Sequence, residues 1–300
     1  MMIPLFTAIL SMSGMTNSNS SLPIDTAKLK QEIMAEFAKQ PTGTFAVAFK
    51  DISTGQQFLM NAHQSFHAAS TMKTSVMIEA FKQAAEHKFS LDDSVLIDNH
   101  FKSIADSSIY SLDSTDDSEK DLYQRIGTKE TIRNILFRMI TQSSNFSTNL
   151  MVELVGAKNA NQTMRSLGAK DIQVLRGVED QKAYDLGMNN MVTAYDLMVI
   201  FEHIANGTVV NKKACEEMIQ NLIHQHFKNM IPAKLPADVK TATKSGSITK
   251  IHHDSGIVFL PDGRKYVVVL LSKGIEDEKA SAETLANVSK IIYDHVIGKY

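Results

Sequence analysis

The chain has 300 residues, 43% of them hydrophobic and 21% charged, which supplies a sizeable core and excludes disordered, collagenous and coiled-coil proteins. Thirty-one Lys and Arg against 33 Asp and Glu give a net charge of −2, with no basic stripe to track a phosphate backbone, so no nucleic-acid partner is expected. The single cysteine, Cys215, excludes an intramolecular disulfide and a Cys-based zinc site as staples of the fold.

The first Lys or Arg is Lys28, and an apolar run over residues 3–10 is followed by a Ser/Asn-rich stretch. That pattern leaves two readings for residues 1–22: an incomplete secretory signal peptide, implying a bacterial periplasmic or secreted protein, or a disordered N-terminus. No apolar run approaches the roughly 20 residues that span a bilayer, so no transmembrane segment is expected. Pro23, Asp25 and the period Leu29, Ile33, Phe37 predict a capped amphipathic helix ending near Pro41. Two strands joined by a Thr54-Gly55 turn follow, over residues 43–53 and 56–60.

From about Thr71 to Gly207 the helix period dominates in five segments, each bounded by Ser, Asn, Gly or Thr. The Ser/Asp-rich residues 107–121 read most simply as a solvated loop, with an overhang of the cleft as the alternative. After a helix over residues 211–225, strands are predicted at 241–248, 253–261 and 265–273, the last two joined by a Pro261-Asp262-Gly263 turn, before a final helix from about 280 to 297. Strands at both chain ends must share one sheet. The expectation is an α+β protein with an antiparallel sheet of about five strands flanked by the N- and C-terminal helices. The sheet domain is discontinuous, residues 23–65 and 210–300; residues 66–209 form an inserted helical lobe, and the cleft between them is where a site belongs.

Chemistry begins at Ser70-Thr71-Met72-Lys73. Residues three apart on a helix share a face, so the Lys73 amine is placed to activate a serine that is a weak nucleophile alone. The pattern recurs at Ser247-Ile248-Thr249-Lys250, without helical context. Ser143-Ser144-Asn145 follows at a helix start and Lys244-Ser245-Gly246 on a strand. The ordered array S-x-x-K, S-x-N, K-[ST]-G resembles the penicillin-recognising serine hydrolases, and the helical insertion and length resemble class A serine β-lactamases. Glu179, in LRGVEDQKAYDLGMNN, stands where that family carries the glutamate of its omega loop; the phrase RGVEDxKA followed by NN and TAxDL is similar to class A-like serine hydrolases.

The resemblance, which spans about residues 25 to 300, implies a β-lactamase/transpeptidase-like fold and an acyl-enzyme on Ser70, with no metal or organic cofactor. Lys73 accepts the serine proton, or Glu179 does so through a water. Ser143 relays a proton to the leaving nitrogen, and Glu179 activates the deacylating water. Asn145 binds the substrate's side-chain amide, Lys244 and Ser245 bind its carboxylate, Gly246 completes the third motif, and backbone N–H groups of Ser70 and Ser247 form the oxyanion hole. Lys73 and Lys244 are expected close together, depressing one pKa. The implied partner is a small-molecule β-lactam or a D-Ala-D-Ala-like substrate, and the protein is expected to be monomeric. A D-Ala-D-Ala peptidase or esterase, or a penicillin-binding sensor with slow deacylation, remains the alternative on the same scaffold.

The chain departs from the family at four places, one of them a span from Glu179 to Asn190 that is shorter than usual. Ser144 replaces an aspartate that braces its loop. Ala183 stands four residues after Glu179, where the family carries a water-holding asparagine; Asn189 and Asn190 are the amides that would compensate. The usual carboxylate-binding arginine after the third motif is absent, leaving Lys250, His252 and His253 as cations in its neighbourhood. His252-His253 and His224-x-His226 are not spaced to share a metal, because neighbours on a strand point to opposite faces and i,i+2 positions on a helix diverge. Met188, Met191 and Met198 read as core filling and Cys215 as a small buried hydrophobe.

Overall fold

The structure, a computed structural model, describes residues 23–299; the two readings of residues 1–22 lie outside it. Helix α1 (Thr26–Phe37) starts at Asp25, whose carboxyl accepts hydrogen bonds from the N–H groups of Ala27 and Lys28 at 3.0 and 3.1 Å. Strands β1 (Thr44–Asp51) and β2 (Gln57–Met60) form the expected hairpin. The late strands are β3 (Lys240–Ile248), β4 (Ile251–Phe259) and β5 (Lys265–Lys273). All five join one antiparallel sheet in the order β2-β1-β5-β4-β3. Because β5 pairs with β1, with Val47 opposite Leu270, the two ends of the chain close a single sheet.

Both faces of that sheet are buried, and the period of two sorts the side chains between them. Phe45, Val47 and Phe49 of β1, with Val268 and Leu270 of β5, pack with Leu29 and Ile33 of α1 and with the last helix. That helix, α9 (Glu278–Val296), contributes Leu285, Val288 and Ile292. Ala46 and Ala48, with Val267, Val269 and Leu271, face the helical lobe. Small alanines on this face let a helix lie close across the sheet.

The lobe holds α2 (Lys73–Ala85), α3 (Ile132–Thr141), α4 (Asn145–Val155), α5 (Ala157–Ser166), α6 (Gln181–Asp185) and α7 (Ala194–Asn206), and α8 (Lys212–Ile223) leads back to the sheet. Thr131, Ser144, Asp180, Thr193 and Asn211 cap five of these through side-chain oxygens, each such cap typically worth about 1 kcal/mol. Three short two-stranded ladders supplement the helices: 94–96 with 129–131, 101–102 with 109–110, and 66–67 with 191–192. Segments this short carry too few residues for a period to be read. Cys215 is buried in α8 and Met198 in α7, both as core side chains. Among the described residues, no helix is long and apolar enough to cross a membrane.

Candidate active site

Ser70 lies in a 3₁₀ turn, Ala69–Met72, that runs directly into α2 at Lys73. Ser70 is therefore not a helix N-cap; the turn presents it to a cleft of about 570 Å³. Ala69 before it has φ 45°, and Ser143 and Glu179, which line the same cleft, have φ 56° and 60°. Non-glycine residues seldom hold such angles, and held ones cluster where surrounding packing over-determines them.

The floor is a chain of hydrogen bonds among buried groups. Lys73, fully buried, donates to Ser143 O at 2.7 Å, Ser143 Oγ at 3.3 Å and Asn145 Oδ1 at 3.0 Å. Its amine thus turns toward α4. Lys244, also fully buried, donates to Ser143 Oγ at 3.0 Å and Ser245 O at 2.9 Å. One hydroxyl therefore bridges two lysines. The side chain of Asn145 continues the chain outward, its Nδ2 donating to Glu179 Oε1 at 3.0 Å.

Burial pulls the Lys73 pKa down to about 7, against the opposing pull of the Asp117 and Glu179 charges. Lys244 is held well below the ordinary lysine range by burial and then by the Lys73 charge, with Asp254 opposing. Desolvation is thus the larger cause for both lysines, and the repulsion anticipated from their proximity is the second cause for Lys244. Asp254 lies opposite Ser245 on β4, and burial raises its carboxyl to about 7 even though it accepts from the N–H groups of Ile231 and Ser255. Glu179 is raised by loss of water around its carboxyl and by the Asp116 charge, while Lys73 and Arg176 oppose; the residue keeps an exposed edge at the cleft mouth.

Gly246 sits where β3, the sheet edge, meets the Ser70 turn. A Cβ there would stand 2.8 Å from Ser70 N and 3.0 Å from Thr71 N, so only glycine lets the strand approach the turn this closely. Ser245, Gly246 and Ser247 line the cleft beside Ile248 and Thr249.

The wall carrying Glu179 is held by side chains that satisfy loop backbone. Arg176, buried, donates to Met188 O, Gly177 O and Asn189 Oδ1 at 3.0, 3.1 and 3.1 Å. Asn190 accepts from the N–H groups of Leu175 and Arg176 and donates to Arg176 O. Its own carbonyl accepts from Ala68 N, beside the Ser70 turn. Asn149 of α4 grips Val178 through both its N–H and its carbonyl, at 2.6 and 3.0 Å. Both asparagines expected to compensate for Ala183 are thus engaged in bracing the loop. Ala183 itself is buried in α6, its N–H donated to Asp180.

Two further expectations are corrected. Lys250 ion-pairs with Glu276, away from the cleft. His252 and His253 are buried, and His253 is neutral at ordinary pH, its pKa lowered to about 4 mainly by desolvation. His253 Nε2 faces His67 O and its Nδ1 faces Ser272 N. None of the three lines the cleft: His252 and His253 are buried on a strand with both faces covered, and Lys250 stands exposed in the turn before that strand. Residues 107–121 are not merely a solvated loop: Asp117 and Glu119 are buried, and Asp116 and Ser118 line the cleft. Composition does not reveal which carboxyl of an acidic run will meet helix N–H groups. His67, whose Nδ1 accepts from Ala69 N at 3.1 Å, is a cleft residue that no motif announced. Among the described residues no group of three or more His, Cys, Asp or Glu side chains is arranged to hold a metal.

A family model described as "Beta-lactamase enzyme family" matches residues 28–296. A β-lactamase of Bacteroides uniformis is 24% identical over 177 residues, 55% of this chain, an alignment that spans 60% of that relative. The extended-spectrum β-lactamase PER-1 of Pseudomonas aeruginosa is 23% identical over 256 residues, covering 81% of this chain and 80% of that one. Among solved structures, a β-lactamase of Sphaerobacter thermophilus superposes with a TM-score of 0.78 at 21% identity, covering 93% of this chain and 99% of that one. A mutant of PBP-A, in an acyl-enzyme complex with penicillin G, superposes with a TM-score of 0.78 at 22% identity, covering 93% of this chain and all of that one. The match over nearly the whole described chain, on this sheet and these helices, means that the protein belongs to the β-lactamase enzyme family: it is a β-lactamase-type hydrolase with the serine β-lactamase fold.

Proposed function

We propose that the protein is an exported class A-type serine β-lactamase that opens the β-lactam amide through an ester on Ser70. The supporting observation is the continuous chain from Lys244 through Ser143, Lys73 and Asn145 to Glu179, with Ser70 on the same cleft. A lysine whose pKa is near 7 is a competent base at neutral pH. Ser70 Oγ attacks the lactam carbonyl carbon as Lys73 takes its proton. The N–H groups of Ser70 and Ser247 receive the developing oxyanion, a contribution of about 3 to 4 kcal/mol per donor in comparable sites. Lys73 and Lys244 meet at the Ser143 hydroxyl, so a proton passes through it to the nitrogen as the C–N bond breaks. Lys244 and Ser245 hold the substrate carboxylate and Asn145 the side-chain amide. Glu179 then removes a proton from water, which attacks the ester carbonyl; Ser70 leaves and is reprotonated.

A second reading has a specific observation behind it. With Ala183 buried and Asn189 and Asn190 committed to the loop, the amide hydrogen-bonded to Glu179 is that of Asn145. Slow deacylation, and with it a D-Ala-D-Ala peptidase, an esterase or a penicillin-binding sensor, is the outcome this favours. Intact-protein mass followed over time with a penicillin, while absorbance tracks ring opening, separates the two. Ring opening far beyond one equivalent with return to the free mass supports the lactamase. A lasting adduct of one ligand supports the second reading, and no adduct removes Ser70 from the mechanism.

A further inference from the structure

The acidic segment that precedes α3 reaches back to clamp the connection that carries Ser143. Asp117 is 5% exposed. Its Oδ1 accepts from Asn145 N at 3.0 Å and Glu119 N at 3.1 Å, and its Oδ2 from Phe146 N at 2.9 Å and Tyr123 OH at 3.0 Å. Ser118 Oγ donates to Gln142 O at 2.5 Å. Glu119 Oε1 accepts from Arg138 of α3 at 2.7 Å. Ser143 is thus tethered on both sides, at Gln142 before it and at Asn145 and Phe146 after it, across a backbone held at φ 56°.

We propose that Asp117 is a positioning residue of the reaction: through the first N–H groups of α4 it fixes Ser143 and Asn145 against Lys73, and it supplies a negative charge near the buried Lys73 amine. This rests on the acyl-serine reading above. Ser144, at the cap of α4, uses its own hydroxyl on Ser147 N at 3.1 Å, so the two outermost N–H groups of the helix depend on Asp117. A carboxyl accepting four hydrogen bonds in a buried position is costly to remove, because each donor is then left unpaired. Its charge also favours the protonated forms of the groups around it: it raises Lys73 and, more weakly, Glu179. Asp116 and Arg176 also face Glu179, and Lys73 and Asp254 both face Lys244.

The test is the second-order rate of acylation by a fluorescent penicillin from pH 5 to 9, for the wild type, Asp117→Asn and Ser118→Ala. Asp117→Asn removes the charge at constant size and is expected to slow acylation at least about tenfold at pH 7 and to move the acid limb to lower pH by about half a unit or more. Ser118→Ala removes one neutral tether and is expected to slow acylation less, with the limb unmoved. The limb position does not depend on the folded fraction, so it remains readable if Asp117→Asn melts early. A slower Asp117→Asn with an unshifted limb would reduce Asp117 to a structural cap and overturn the proposal. An unchanged rate in Asp117→Asn, with the wild type acylating normally, would overturn it alone; a wild type that is never acylated would overturn the acyl-serine reading and this one with it.

Discussion

On the floor of the cleft, Lys73, Asn145 and Lys244 stand on α2, α4 and β3, elements whose own periodicity decides where a side chain goes. On the wall, Glu179 rides a loop whose path is set by Arg176, Asn149 and Asn190 binding backbone atoms one by one. The floor's geometry comes with the helices and the strand, with Asp117 tying down the first N–H groups of α4. The wall's geometry is a sum of individual hydrogen bonds, each worth about 1 kcal/mol net and more when one partner is left buried and unpaired. In the mechanism proposed here, acylation draws mainly on the floor and deacylation on the wall, so damage to the two regions has different kinetic signatures.

The sharpest break in the floor is Ser70→Ala, for which we expect complete loss of covalent labelling by penicillin, read as intact mass; a labelled mutant would exclude Ser70 as nucleophile. On the wall, Glu179→Gln should leave acylation measurable and slow release of the adduct by roughly 10²- to 10⁴-fold, the usual span for loss of a general base. Unchanged turnover would remove Glu179 from deacylation. Gly246→Ala places a methyl group 2.8 Å from Ser70 N, and should cost about 1 to 3 kcal/mol of stability by overpacking and about 10²-fold in acylation by displacing the turn. Stopped-flow labelling and thermal melting would test it, and an unperturbed mutant would show that β3 gives way easily. Arg176→Ala should slow deacylation about tenfold with little change in acylation, and it should lower the melting temperature because three loop acceptors lose one buried donor. Equal losses in both steps would mean that floor and wall are mechanically one unit.

The smallest effect concerns pH. Because burial depresses Lys73 to about 7, the neutral amine predominates above that pH, and acylation should rise as pH increases through about 7 and level off beyond it. A flat profile from pH 5 to 9 would exclude Lys73 as the acylation base and transfer that role to Glu179 through a water.

The three motifs, the helix periods, the caps and the alternating strands were legible along the chain, because each is a local relation among residues a few positions apart. They sufficed for the five-stranded sheet, the flanking helices and the groups that would meet on the floor. What only the tertiary structure decided are relations between distant segments. Asp117 is one of several acidic residues in a polar stretch until α4 is seen to start against it. Asn190 resembles a spare amide until it is found spent on Leu175 and Arg176. His253 reads as an available cation until both faces of β4 are buried and its ring is held between His67 and Ser272. Sequence spacing fixes which face of an element a side chain occupies, whereas burial and the count of free donors and acceptors depend on what packs against that face, and these decide whether a carboxyl, an amide or an imidazole has any bonding capacity left for a substrate.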